Sequence, residues 1–222
     1  MKRREFTAAL SVPLLPAVAQ AGLSEVDAAT GVRVALERGA LAAVALLGKT
    51  DGFLGNPQVR IPLPGFLKDA ARLLRATGQG RKLDELVTAM NRAAELAVPM
   101  AMPLFVSTVK AMSVEDALKV VRGGATSVTD YFADKTRAPL GQKFLPIVTQ
   151  ATEKVSLAAR YNAVAGKVQS LGLVKGNEAN LQQYVTARAL DGLFLMIGEE
   201  EKKIRADPMK TGSAILRKVF GG

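Results

Sequence analysis

From residue 22 onward, apolar positions recur every three or four residues with few interruptions. Across 22–47 they fall at Val26, Ala29, Val32, Leu36, Ala40, Ala43 and Leu47, with Asp27, Thr30, Arg33 and Glu37 largely opposite, which is the period of an α-helix. The stretch 39–47 is apolar on all sides, which predicts central burial for the second half of that helix. The same period predicts helices over 66–76, 81–112, 140–154, 157–171, 178–205 and 212–220. Start signals support them: Ser24 with Asp27, Ser113 with Asp116, Ser127 with Asp130, and Asp207 followed by Pro208. Pro99 and Pro103 are expected to kink or break the third helix, and Pro146 the fourth. No two alternating β-branched runs are joined by a turn signal, and 35 alanines favour close-packed helices. The expected fold is therefore all-α: one compact multi-helix bundle over 22–222.

One segment refuses the helical reading. Residues 48–65 hold four glycines and three prolines, which predicts a long loop, with a short extended piece over 58–61.

The first 21 residues read as an address. Lys2, Arg3 and Arg4 form a basic start, an apolar stretch follows, and Ala19-Gln20-Ala21 offers the small residues of a cleavage site, so the mature chain is expected to begin at Gly22. A second box, Ala17-Val18-Ala19, moves the cut to Gln20. The apolar stretch is short and carries Pro13 and Pro16, which argues against a retained membrane anchor. Arg3-Arg4-Glu5-Phe6 resembles the twin-arginine export pattern, although Thr7 stands where that pattern prefers Leu, so the general secretory route stays open. The expected location is periplasmic.

Composition narrows the chemistry. The chain has no Cys, His or Trp, which excludes thiol and imidazole catalysis, Cys/His zinc sites and haem or iron–sulfur ligation. Without the first 21 residues the chain keeps 27 Lys and Arg against 19 Asp and Glu, a net charge of +8. In an exported protein, that charge points to anionic lipid surfaces or envelope polyanions, not to nucleic acid.

A resemblance covers nearly all of residues 23–220. The run Lys49-Thr50-Asp51-Gly52-Phe53-Leu54-Gly55-Asn56, with Val59-Arg60-Ile61-Pro62-Leu63-Pro64 after it, carries it first. Asp130-Tyr131-Phe132 with Lys135-Thr136 comes next, then Ala189-Leu190-Asp191-Gly192-Leu193-Phe194 and the stretch from Ile204 to Ser213. Together these resemble the bacterial domain-of-unknown-function family numbered 4197. The resemblance implies an exported, helical, envelope-associated protein and no particular activity. Some similar proteins are lipoproteins, a form closed to a chain without Cys.

Candidate sites are few. Gly48-Lys49-Thr50 echoes the end of a phosphate-binding loop but follows a helix where a strand is needed. Met90, Met100, Met102 and Met112 could offer thioethers to Cu(I), and read more simply as core filler. Tyr131 and Lys135 stand one helical turn apart, and a core-edge Tyr beside a surface Lys explains them as well as an acid/base pair does. Asp191 lies in an apolar run, which predicts a buried or half-buried carboxylate in need of a partner. Lys49, Arg60 and Asn56 of the loop could supply one, as could Arg188 on the same helix. The polar cluster expected to hold a ligand or pin the loop is thus Lys49, Asp51, Asn56, Arg60 and Asp191.

The reading favoured is a non-catalytic envelope module that binds an apolar or amphiphilic ligand or a protein partner, with no cofactor, resident metal or nucleic acid, and with peripheral contact to an anionic membrane surface compatible with its charge. The alternative is a hydrolase or transferase built on Asp51, Asp191 and Glu201, with or without a hard divalent cation. If the twin-arginine route carries the chain, replacing Arg3 and Arg4 by Lys should trap it inside the cell, read as the protein's share in the periplasmic fraction. Unchanged secretion would exclude that route.

Overall fold

The computed structural model of the chain describes residues 23–113, 117–170 and 181–221. The expected export segment lies outside the described residues, as does Asp116 of the second start signal. The described elements are α1 (Glu25–Leu47), α2 (Gly65–Ala76), α3 (Gly80–Met100), α4 (Met102–Lys110), α5 (Ala117–Val121), α6 (Ser127–Lys154), α7 (Leu157–Ser170), α8 (Leu181–Ala206), a 3-10 turn over Pro208–Thr211, and α9 (Ala214–Phe220). No strand occurs among the described residues, and the fold is the all-α bundle expected.

The starts follow their caps where the caps are local. The Ser24 hydroxyl accepts the Asp27 N–H at 3.1 Å and opens α1, and the Asp207 carboxylate accepts the Lys210 N–H and opens the 3-10 turn. The lost start signal is instructive. Thr126, not Ser127, is the N-cap of α6, and its side chain caps nothing. The Ser127 hydroxyl turns back to the Val120 carbonyl, and the α6 N–H groups of Val128 and Thr129 are taken by the Glu201 carboxylate of α8, at 3.1 and 2.8 Å. The helix start is therefore capped from another helix, which no local spacing encodes.

α8 is the centre of the bundle, packing along α1 and α6 and touching α3. Small residues permit the close approaches: a Cβ on Gly39 of α1 would sit 3.0 Å from Ile197 Cγ2 of α8, and one on Gly31 only 2.5 Å from Val219 Cγ2 of α9. Phe132 of α6 is fully buried between Phe105 and Phe194, its ring centroid 5.1 and 6.2 Å from theirs.

Two expectations are not met as stated: the second half of α1 is not buried on all sides, and Pro146 does not break its helix. Leu41 and Leu46 are 59% and 39% exposed, and Val26 at the other end is 72% exposed. α1 buries Val32, Leu36 and Leu47 together with its Ala/Gly side and leaves the side bearing Val26, Leu41 and Leu46 outward. Pro146, with Pro139, stands inside an unbroken α6. Both prolines face solvent, where the carbonyls deprived of an N–H partner can bond water, while Leu140, Phe144, Val148 and Ala151 hold the inner face. Pro99 and Pro103 do act as expected: α3 and α4 meet at Ala101 with a 50° bend.

Glu201 is 2% exposed and also accepts the Thr129 hydroxyl at 2.6 Å and Arg205 Nε at 2.8 Å. Arg205 in turn donates to the carbonyls of Val121 and Val120 and to the Ser127 hydroxyl, closing the α5–α6 turn onto α8. Glu201→Ala strands two buried N–H groups and a half-buried guanidinium, and should destabilise the protein by roughly 3–5 kcal/mol. Chemical denaturation of the purified variant measures this, and a loss below ~1 kcal/mol would mean that water replaces the carboxylate.

Candidate functional site

Residues 48–64 connect α1 to α2 through turns and extended chain. Their apolar side chains go inward: Phe53 and Ile61 are fully buried, Val59 and Leu63 nearly so. The backbone at Gly52 passes so close to α1 that a Cβ would lie 2.4 Å from the Leu47 carbonyl oxygen. Phe53 and Val59 press on α8 at Gly192, where a Cβ would meet Phe53 Cε1 at 2.8 Å. Tyr184 of α8 donates its hydroxyl to the Pro62 carbonyl at 3.0 Å. Loop and α8 are thus in contact, as the sequence suggested, but through packing and a tyrosine hydroxyl.

The polar anchor comes from α3. The Glu95 carboxylate, 4% exposed, accepts the N–H groups of Phe53 and Leu54, both at 3.1 Å. Its other oxygen takes Arg92 Nη1 at 2.6 Å, and Arg92 Nη2 reaches the Asp51 carboxylate at 2.8 Å. The pairing with Glu95 first, and with Asp51, raises the Arg92 pKa above its already high value. One turn earlier, fully buried Asn91 treats Ile61 as a strand would, accepting its N–H at 2.8 Å and donating to its carbonyl at 2.9 Å, with a further bond to the Val87 carbonyl.

The expected cluster is dispersed accordingly. Asp51 joins Arg92, at a left-handed φ of 66°. Asn56 stays within the loop, its side chain accepting the Gln58 N–H and its carbonyl the Val59 and Arg60 N–H groups. Lys49 and Arg60 are exposed. Asp191 is 46% exposed, contrary to expectation, and its carboxylate binds Arg137 of α6 and, as offered, Arg188 of its own helix. The reason is register: the exposed side of α8 carries Arg188, Asp191 and Leu195, so the apolar run around Asp191 is broken on one side. The Arg137 guanidinium also stacks over Phe194, 5.0 Å from its centroid. Asp51, Asp191 and Glu201 sit in three separate settings, and no trio of carboxylates comes together among the described residues.

One cleft was not foreseen. It is an open groove of about 880 Å³ between the first half of α3 and the α6–α7 turn, lined by Arg81, Asp84, Glu85, Arg92, Lys154 and Arg160 among others. Glu85 bridges its two walls, bonded to Arg81 at 3.0 Å and to Arg160 at 3.1 Å. Asp84 is held by Arg75 of α2 at 2.6 Å, and that bond, against a small burial effect, keeps its carboxyl below the ordinary carboxylate range. Charged groups of both signs line its walls.

Comparison with known proteins bears on 22–221: over those residues the chain matches the family described as Protein of unknown function (DUF4197). The chain belongs to the DUF4197 family. No curated protein and no solved structure matches it.

Asn91 and Glu95 were legible in principle. They occupy apolar-face positions of α3, with Val87 and Val98 on either side in the same row, and a polar residue in such a row demands a partner. Asn91→Leu should remove three bonds, strand the Ile61 N–H and carbonyl, and destabilise the fold by about 1–3 kcal/mol. Asp191→Ala, which removes only exposed ion pairs, should lower stability by less than ~1 kcal/mol. Thermal unfolding of the two variants side by side checks the order, and the reverse ranking would make Asp191 the anchor.

Proposed function

We propose that this DUF4197 protein is exported to the cell envelope and acts there without catalysis, as a helical binding module that presents its open cleft and charged surface to a partner. The observation that carries this reading is the commitment of the candidate carboxylates: Glu201 and Glu95 accept backbone N–H groups in the core, and Asp51 and Asp191 are neutralised by arginines at the surface. Asp51 and Glu95 share Arg92, and Asp191 shares a small cleft with Asp130 and Glu199, but there Asp191 is paired with Arg137 and Arg188, Asp130 accepts the Thr126 hydroxyl and Glu199 holds Lys202, so none is left without a partner for acid/base work. The family match beginning at residue 22 agrees with a leader that ends at Ala21. Tyr131 and Lys135 fit the same picture, the ammonium lying 5.7 Å from the ring centroid as a cation–π pair.

Native mass spectrometry of the protein taken from its own envelope fraction should show a chain starting at Gly22 that carries a non-covalent partner. Assays with activated esters and phosphoesters should show no turnover that depends on Asp51 or Asp191. A hydrolysis rate lost in Asp51→Asn or Asp191→Asn would overturn the reading, since both are exposed and their loss leaves the fold intact.

A further inference from the structure

The charge that the core does not use is unevenly spread. Residues 57–85 carry Arg60, Lys68, Arg72, Arg75, Arg81 and Lys82 against Asp69, Asp84 and Glu85. Lys154 and Arg160 face this region across the cleft, with Glu153 beside Lys154. In α2 the cations stand at i, i+4 and i+7, so Lys68, Arg72 and Arg75 form a row about 10 Å long on one side of the helix. The adjoining side, Leu67, Ala71 and Leu74, is buried on the bundle, while Lys68, Arg72 and Arg75 themselves are exposed. Leu73, next to Arg72, is 41% exposed.

Two features decide what such a surface fits. Two of its acidic groups, Glu85 and Asp84, line the cleft and are already bridged, Glu85 by Arg81 and Arg160 and Asp84 by Arg75. A small anion entering the groove would meet these carboxylates. Arg60, Lys68, Arg72, Lys82 and Lys154 make no ion pair among the described residues and are exposed, spread over the loop before α2, α2 itself, α3 and the end of α6. Spread, outward-facing positive charge complements an extended sheet of negative charge.

We propose that the α2 face, with the start of α3, is the surface by which this protein docks onto an anionic phospholipid bilayer. The proposal rests on the envelope location argued above, where a bilayer is the extended anionic surface at hand. Attachment is electrostatic: the apolar side of α2 is spent on the core, so lipid contact falls to ammonium and guanidinium groups at the phosphates.

The test is sedimentation with vesicles of phosphatidylglycerol mixed with phosphatidylcholine, and with phosphatidylcholine alone. The protein is used as its own cells deliver it, so that all variants share one N-terminal segment. Binding should require phosphatidylglycerol and fall away between about 50 mM and about 500 mM salt. The triple variant Lys68→Gln, Arg72→Gln, Lys82→Gln removes exposed cations that make no ion pair among the described residues, and should weaken partitioning by about fivefold per cation, on the order of a hundredfold in all. Lys110→Gln, Lys143→Gln and Arg217→Gln together remove the same charge from α4, α6 and α9 and should leave partitioning within about threefold. Circular dichroism and melting temperature confirm that both triple variants fold. Equal loss in the two variants would reduce the effect to net charge and overturn the proposal, as would equal binding to phosphatidylcholine. Tighter binding to duplex DNA than to vesicles at matched phosphate concentration would overturn it in favour of a nucleic-acid surface. Absence of vesicle binding leaves the export and non-catalytic readings standing, and a leader found uncut in the cytoplasm defeats those readings while the vesicle result stands.

Discussion

A backbone N–H that folding removes from water must find an acceptor, and in this bundle that requirement is met by side chains from distant helices. Glu201 of α8 accepts the first N–H groups of α6, and Glu95 of α3 accepts those of Phe53 and Leu54. Each buried carboxylate is accompanied by an arginine, Arg205 and Arg92, that also reaches a second segment. A lone buried charge would be costly, whereas a charge with two N–H donors and a guanidinium has its lone pairs occupied. The 17 residues of 48–64 and the α5–α6 turn hold their shape on these terms.

The same arrangement separates structural polarity from surface polarity. Asn91, Glu95 and Glu201 are buried polar groups whose bonds stay inside the fold: those of Asn91 go to backbone, and those of Glu95 and Glu201 to backbone, to one arginine each and, for Glu201, to Thr129. What remains for interaction with other molecules is the exterior: an open charged cleft and the outward row of cations on α2. Because the apolar side of α2 completes the core, the position of that row is fixed by packing, so a charge pattern on a twelve-residue helix becomes an oriented surface.

The candidate site was only partly legible. The loop was marked by its glycines and prolines, and its meeting with α8 at Gly192 was indicated by a glycine within an apolar run. Asp191 was misread because eight apolar or small neighbours in sequence concealed an exposed row whose members, Arg188, Asp191 and Leu195, are not all polar. Asn91 and Glu95 were passed over although they interrupt the buried row of α3, and Arg137 could not have been paired with Asp191 from spacing alone, since 54 residues separate them.

By itself the sequence determined the helical class, most helix spans, the bend between α3 and α4, and the local caps at Ser24 and Asp207, because period, proline chemistry and capping act within one or two turns of chain. Tertiary structure alone decided which polar groups are buried, that α6 starts under a carboxylate from α8, that Pro139 and Pro146 are carried within one helix, and that cations of α3, α6 and α7 face a common cleft. The reason is that burial and pairing depend on which helix covers which face. A repeat every three or four residues defines the face of each helix and leaves open the neighbour that covers it.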